Sequence, residues 1–416
     1  MTSSQPPLKI RISAPGKVIL HGEHSVVYNK LAVAASLGLR TQLEYSEEVE
    51  RQNVVALDFP AVNMLHFYHV QDLQDFIDKP LPLIKSPCTY NFTHPELLDH
   101  EEILASIATF IAEKSGSHRL EANQQLAFTS FLYLLWAFLG PMNIQLTHFK
   151  LRVKSELTVS AGTGSSASFA VVIVAFFLQF IRLRKLKPKD NYKGFNITNP
   201  NLESFDKKEL ELISKWAFQS ERIIHGTPSG VDNTICTYGG LVQFRKGTLP
   251  LLIELATKFT TILINTKLPR DTKRLVSMVA ERREKYKSII DGILNSMDQV
   301  TTRALQCMQK INTKTLNDFE LLNSYETLGE LTDLNQNLLR CLGVSHPKLD
   351  EICFVLSNNG LHGKLTGAGG GGYAICLVPP HFDKVVVKKI MEELKLKEFD
   401  AVLTDLGGCG VSIDSL

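Results

Sequence analysis

Residues 155–167 read S-E-L-T-V-S-A-G-T-G-S-S-A and join two segments of different hydrophobic periodicity. Before them, apolar Phe149, Leu151 and Val153 alternate with charged residues, which predicts a half-buried strand. After them, residues 169–181 are apolar with one exception, which predicts a buried helix. Glycine and serine between a strand and a helix start let backbone N–H groups approach an anion, and the helix dipole favours negative charge there. The stretch predicts a phosphate-binding loop, although a plain turn with a serine helix cap fits the same residues.

The composition limits the class of protein. The chain has 416 residues, of which 44% are hydrophobic, and its formal net charge is +2. This length predicts two domains, and the balanced charge gives no reason to expect nucleic acid or an anionic membrane as a partner. Seven scattered cysteines without a C-x-x-C pair fit reduced thiols in a cytoplasmic protein. The N-terminus lacks an apolar signal core, and the longest apolar runs are shorter than a membrane span, so we expect no membrane.

The order of predicted elements indicates the domain organisation. A helix predicted over 207–224 leads directly into H-G-T-P-S-G-V-D-N at 225–233. The pattern breaks near Lys246-Gly247, so we divide the chain into an N-terminal nucleotide-binding domain, 1–250, and a C-terminal domain, 251–416. Helical stretches grouped with few strands in the second domain predict an α+β fold.

A second glycine-rich run, G-K-L-T-G-A-G-G-G-G, covers residues 363–372 and leads into an apolar strand at 373–378. Six glycines cost conformational entropy when they become ordered. We therefore interpret the run as backbone that approaches a ligand closely, in preference to a disordered linker.

Three charged residues are candidates for the chemistry. Asp232 follows the turn 228–230, which exposes a carboxylate, and Glu221 offers the oxygen ligand that Mg²⁺ prefers. Lys17, after Pro15-Gly16, places a positive charge beside them. Taken alone, Asp232 is equally well a turn former, and Glu221 and Lys17 fit solvated surface charges better than functional groups. Metal-ligand Cys/His spacing and a G-x-S-x-G elbow are both missing from the sequence, which argues against a zinc site and a serine hydrolase.

Several separated motifs follow one another in a characteristic order. They are S-A-P-G-K at 13–17, H-G-E-H at 21–24, the G-x-G-S-S-A loop at 162–167, H-G-x-P-S-G-V-D-N at 225–233 and T-G-A-G-G-G-G at 366–372. Together they resemble the GHMP small-molecule kinases, and within them the mevalonate kinase branch, over most of the chain. The resemblance implies an α+β, two-domain GHMP kinase fold with the active site in the cleft between the domains.

The resemblance also implies a reaction, ATP-dependent phosphorylation of the primary hydroxyl of mevalonate. Asp232 would accept the hydroxyl proton, Lys17 would stabilise the alkoxide, and Ser166 and Glu221 would bind Mg²⁺. The residues implied to hold ATP are Ser155, Ser160, Ala161, Gly162, Thr163, Gly164, Ser165 and Ser166. Those implied to lie near mevalonate are Glu23, His24, Ile224, Thr266 and Ala368. The family further implies a homodimer.

The chain departs from the family pattern in its phosphate loop. Thr158 stands at the usual proline, Ser160 at a usual glycine and Thr163 at the usual leucine, so we expect a more polar, less constrained loop. The asparagine that the family often uses for the nucleotide corresponds to Ala61, with Asn63 nearby, and this contact stays open. Two alternatives also stay open: another GHMP kinase acting on phosphomevalonate or a sugar, and a non-catalytic nucleotide- or isoprenoid-binding homologue.

Overall fold

The structure is a computed structural model that describes residues 6–48, 52–84, 90–114, 120–159, 161–190, 192–194, 199–226 and 228–415. The side chains of Lys193, Ile224 and His225 are not part of this description. Of the predicted site residues, Ser160 and the Ile224 side chain therefore lie outside the described residues.

The strands form the frame of the molecule. They are β1 (Lys9–His21), β2 (Ala32–Ser46), β3 (Val54–Phe59), β4 (Met64–His69), β5 (Tyr90–Asn91), β6 (Phe149–Ser155), β7 (Tyr192–Lys193), β8 (Leu241–Phe244), β9 (Leu251–Ile253), β10 (Phe259–Asn265), β11 (Gly363–Leu365), β12 (Tyr373–Val378), β13 (Asp400–Leu406) and β14 (Ser412–Ser415).

The helices cover this frame. They are α1 (Val70–Ile77), α2 (His100–Lys114), α3 (Ala122–Leu139), α4 (Ser165–Arg184), α5 (Lys207–His225), α6 (Val231–Tyr238), α7 (Thr272–Lys285), α8 (Lys287–Asn312), α9 (Asp318–Leu342), α10 (Pro347–Asn358) and α11 (Lys384–Leu396). Short 3₁₀ helices lie at Ser25–Tyr28, Pro60–Val62 and Pro95–Leu97.

Strand β2 connects the two ends of the main sheet. The order β11-β12-β10-β13-β2-β6-β3-β4 passes through it, and β1 and β8 also pair with β2. Residues 41–46 of β2 pair with β6, residues 32–35 pair with β8, and Leu37 pairs with Leu406 of β13. The sheet of the N-terminal part is thereby continuous with the sheet of the C-terminal part.

The predicted strand–loop–helix unit is confirmed in β6 and α4. Helix α4 is long and apolar enough to cross a membrane, but 83% of its apolar stretch is buried, as in a core helix. The ring of Phe177 on α4 lies 5.9 Å from Phe138 and 6.0 Å from Phe131 on α3. This packing fixes the helix whose N-terminus carries the glycine–serine loop.

The C-terminal part packs α8, α9 and α10 against its strands. The sequence predicts a long amphipathic stretch from 271 to 308 with Gly292 as its weak point. The predicted position of this weak point is wrong. The helix breaks at Tyr286, where φ is −130° and ψ is 51°, and Gly292 lies inside α8. Arg283 and Asp291 form an ion pair of 2.5 Å across the break. A side-chain ion pair therefore links the two helices across the break, and the local hydrophobic periodicity does not predict this pair.

Candidate active site

The loop between β6 and α4 folds over Lys17. Gly164 is the N-cap of α4 with φ of 74°, and no side chain of the described residues caps this helix start. The backbone N–H of Lys17 donates to the carbonyl of Thr163 over 2.8 Å, and a Cβ on Gly164 would lie 2.9 Å from Cγ of Lys17. The left-handed φ and this close approach both require glycine. The helix N-terminus is therefore uncapped beside a lysine, as an anion site needs.

Lys17 and Asp232 meet at the polar end of the cleft. Lys17 comes from β1, and Asp232 lies in the first turn of α6. Nζ of Lys17 is 3.2 Å from Oδ1 of Asp232. The lysine side chain is 11% exposed and the aspartate 34%, so the carboxylate is open to a ligand while the ammonium is mostly covered. The structure brings together two residues that are 215 positions apart in the sequence.

Glu221, near the end of α5, adds a second carboxylate. Its pKa is raised to about 7, first by burial and then by the charge of Asp232, while a hydrogen bond with Ser166 and the charge of Lys17 act in the opposite direction. A raised pKa means that negative charge is poorly stabilised at this position. Bound cationic charge would correct this deficit. The donor set of Ser166 and Glu221 therefore fits a hard divalent cation that shares its other ligands with phosphate and water.

Arg270 also lies in the cleft, and the sequence patterns did not predict it. A Cβ on Gly162 would lie 1.4 Å from Nη2 of Arg270, and a Cβ on Gly367 would lie 2.5 Å from Nη1. The guanidinium therefore fills the space that these two glycines leave open. Burial lowers the pKa of Arg270, and the charge of Asp232 acts against this shift. The sequence signal was modest: an arginine five residues after the end of β10, the strand that precedes it.

The cleft has two chemically different ends. Its volume is about 410 Å³, within the range of small-molecule sites. The polar end is formed by Lys17, Glu221, Asp232, Arg270 and the loop residues Gly162, Gly164, Ser165 and Ser166. The rest of the lining is mainly apolar and consists of Phe59, Ala61, Val62, Leu126, Ala127, Val153, Val159 and Phe169. Such a cleft can take a ligand that combines a flat apolar group with phosphates.

Some of the residues considered as nucleotide contacts line the cleft, and others do not. Ser155 lines the cleft, and its Oγ lies 2.9 Å from Oγ1 of Thr41. Ala61 also lines it, and so does Asn123 at the start of α3. Asn63 is not among the lining residues of the described chain. Asn123 thus lines the same cleft as Ala61, the position where the family pattern has an asparagine.

The described residues that are predicted to bind the phosphoryl-acceptor substrate lie around the end of β1 and the glycine-rich run. Nε2 of His24 is 2.8 Å from the carbonyl of Ala368, and His24 has a strained φ of 57°. Glu23 is ion-paired with Lys364, and both side chains are almost completely buried. Thr266 is fully buried and donates to the carbonyl of Gly372 over 2.8 Å. Glu23 and Thr266 thus bond to protein groups, and neither is among the described residues that line the cleft.

The two unusual threonines of the loop have different environments. Oγ1 of Thr158 lies 2.7 Å from the Tyr373 hydroxyl. This hydrogen bond to β12 restrains the loop at the position where the family usually has a proline. Thr163 is 2% exposed, and its hydroxyl has no hydrogen-bond partner among the described residues. Its side chain is not among the residues that line the cleft, so Thr163 meets Lys17 through its backbone carbonyl.

Thr163→Val is expected to raise the free energy of unfolding by about 1 kcal/mol, because it removes a buried hydroxyl without changing side-chain shape. The matched control is Thr261→Val, since the buried Thr261 hydroxyl donates to the carbonyl of Cys376 over 2.8 Å. That variant should lose stability by a similar amount. Urea unfolding of both variants measures the two changes in the free energy of unfolding, which should have opposite signs. A destabilised Thr163→Val would show that the hydroxyl has a partner.

Comparison with known families agrees with this architecture. The profile described as GHMP kinases N terminal domain matches residues 130–240, and that described as GHMP kinases C terminal matches residues 318–396. The fold is therefore that of a two-domain GHMP kinase, a family whose members use ATP.

Relatives that match over nearly their whole length identify the branch of the GHMP kinases to which the chain belongs. Mevalonate kinase of Mus musculus is 35% identical over 97% of this chain and 95% of its own length, and that of Homo sapiens is 35% identical over 97% and 94%. The chain belongs to the mevalonate kinase family. Among solved structures, L. major mevalonate kinase in complex with R-mevalonate covers 98% of each chain at 21% identity with a TM-score of 0.64. Methanococcus jannaschii mevalonate kinase covers 98% of this chain and all of its own at 22% identity, with a TM-score of 0.61. At these identities the structures support the fold.

Proposed function

We propose that this protein transfers the γ-phosphoryl group of ATP to the primary hydroxyl of mevalonate, giving 5-phosphomevalonate for isoprenoid biosynthesis. The observation that carries this proposal is the 3.2 Å contact of Lys17 with Asp232 beside an uncapped, glycine-rich helix start. Phosphoryl transfer needs positioned reactants and stabilised negative charge, and little covalent chemistry from the protein.

Asp232 accepts the proton of the attacking hydroxyl in this proposal. Its carboxylate is accessible from the cleft and lies 3.2 Å from the ammonium of Lys17, where a general base is needed. Lys17 then stabilises the alkoxide as the proton leaves. Arg270 adds a second positive charge in the same cleft, within electrostatic range of Asp232, and would stabilise the transferred phosphoryl group.

ATP would lie along the cleft. The apolar end around Phe59 and Phe169 is suited to the adenine ring, and Asn123 offers an amide for the base edge. Ser155 and the loop up to Ser166 hold the ribose and phosphates, with the start of α4 directed at the phosphates.

Ser166 and Glu221 would hold Mg²⁺. When bound, the ion neutralises charge on the β- and γ-phosphates of the nucleotide. No group of three or more His, Cys, Asp or Glu side chains that fits a metal occurs in the described part of the chain. A magnesium ion that travels with ATP needs only one or two protein ligands, so the Ser166–Glu221 pair is sufficient.

Mevalonate would bind between Lys17–Asp232 and the glycine-rich run. His24 and Ala368 lie at this place, and Ile224, at the end of α5, is the further residue proposed to contact mevalonate. Glu23 and Thr266 would support this region indirectly, because both form bonds to other protein groups. We further propose the division into domains 1–250 and 251–416, a cytoplasmic location without membrane or nucleic acid partners, and a homodimer.

A coupled assay for ADP tests the proposal. Purified protein is incubated with ATP and Mg²⁺ and with mevalonate, phosphomevalonate, galactose or no acceptor. We expect ADP release that depends on mevalonate and a product with one phosphate on its primary oxygen. Faster turnover of phosphomevalonate or the sugar would instead assign another GHMP activity. ATP binding without turnover of any acceptor would identify a non-catalytic homologue.

A further inference from the structure

A buried ion pair connects the segment that follows β1 with β11. Glu23 and Lys364 have side chains that are 0% and 1% exposed. Oε2 of Glu23 also accepts a hydrogen bond of 3.0 Å from Asn335, and Nζ of Lys364 donates over 2.6 Å to the carbonyl of Leu365. Both charges are therefore paired and hydrogen-bonded inside the protein.

Such a pair is expensive to bury. Burial raises the pKa of Glu23 and lowers the pKa of Lys364, and the charge of each partner opposes the shift of the other. The neighbouring His21 has its pKa lowered to about 3 by burial and by Lys364, so it is neutral and does not compete for the carboxylate. Apolar residues of similar volume often replace buried pairs without loss of stability. A gain in stability is therefore a weak explanation for this pair.

The location of the pair indicates a different role. Oγ1 of Thr366 donates over 2.8 Å to the carbonyl of Ile19 and accepts over 3.1 Å from its N–H. His24 and Ala368 form the next tie, over 2.8 Å. With the ion pair, these bonds attach the 363–372 run to the strand that carries Lys17. The same run contacts Arg270 through Gly367 and Gly372.

We propose that Glu23 and Lys364 are positioning residues that hold Lys17 and Arg270 in one arrangement around the reacting groups. Glu23 acts through Lys364, and its carboxylate does not contact the acceptor alcohol. The inference rests on the proposed function for its kinetic readout, and on the contacts between β1 and β11 for its structural readout.

The variants are Glu23→Gln, Lys364→Met and the double variant. Each single variant leaves one buried partner without its counterpart, whereas the double variant leaves a neutral pair of almost the same size. We expect each single variant to lower kcat by about 30-fold or more with less than about threefold change in KM for mevalonate, and the double variant to recover to within about fivefold of wild type.

The matched control is Arg182→Met, which removes one partner of another buried ion pair. Arg182 and Glu209 are 3.4 Å apart with side chains 2% and 6% exposed, and neither lines the cleft. This variant should lose stability but keep its kcat at a temperature where it is folded. If a single variant fails to fold, Glu23→Asp with Lys364→Arg provides a charged pair of conserved total length.

Hydrogen exchange gives a second readout that does not depend on turnover. Peptides covering 18–24 and 363–372 should exchange about tenfold faster in Glu23→Gln than in wild type, and protection should return in the double variant. Arg182→Met should leave these peptides unchanged. If the wild type fails to phosphorylate mevalonate, the proposed function is wrong while exchange still tests the pair.

Two outcomes would overturn the inference. A Glu23→Gln variant with a strongly raised KM for mevalonate, unchanged kcat and no rescue by Lys364→Met would make Glu23 a substrate contact. Single variants that are less stable but keep full kcat and normal exchange in both peptides would make the pair merely structural.

Discussion

Asp232→Asn is expected to lower kcat by about 10³-fold, because a general base contributes about 10² to 10⁴ to a rate. Asparagine has the same shape as aspartate but cannot accept a proton. The substitution also removes the negative partner of Lys17, 3.2 Å away, so the ammonium loses its orientation toward the hydroxyl. ATP affinity should stay within about threefold, since the predicted nucleotide contacts lie on β6, the loop and α4.

Steady-state ADP release and titration with a non-hydrolysable ATP analogue measure these two effects. The control is Asp400→Asn, which breaks the exposed 3.0 Å pair with Lys267 away from the cleft and should leave both quantities unchanged. A kcat near that of wild type would reject Asp232 as the proton acceptor. A large loss of nucleotide affinity would instead assign it to ATP binding.

The elements that could be predicted from the sequence are those with strong local periodicity. The alternation of Phe149, Leu151 and Val153 and the apolar run after Phe169 are sufficient for β6 and α4, because burial depends there on spacing within a few residues. The alternative of a serine cap fails because glycine, at 164, occupies the N-cap.

The parts that could not be predicted depend on contacts between distant positions. Lys364 is the second residue of the glycine-rich run, yet its role is set by Glu23, 341 residues away. Local patterns contain no information about such pairs, and a lone lysine is most often a solvated charge. Arg270 escaped for the same reason: its place is defined by the absence of side chains at Gly162 and Gly367. The assigned roles of all these residues stay predictions until variants are measured.

Arg270→Met is expected to lower kcat by about 10² to 10³-fold, the usual effect of removing one preorganised group that stabilises transition-state charge. The guanidinium lines the polar end of the cleft and lies in contact range of the phosphate loop at Gly162 and of the glycine-rich run at Gly367. Its charge is therefore held in place before the nucleotide binds. KM for ATP should rise less than kcat falls, because charge on the phosphoryl group is redistributed during transfer.

Arg270→Lys distinguishes charge from shape. Lysine keeps the charge but lacks the planar fork that fits between the two glycines, so we expect only partial recovery of kcat. Arg274→Met, four residues later on the exposed face of α7, is the matched control and should keep the wild-type kcat. Full activity in Arg270→Met would mean that the guanidinium only fills space. Equal losses in the methionine and lysine variants would show that geometry matters more than charge, because the charge alone restores nothing.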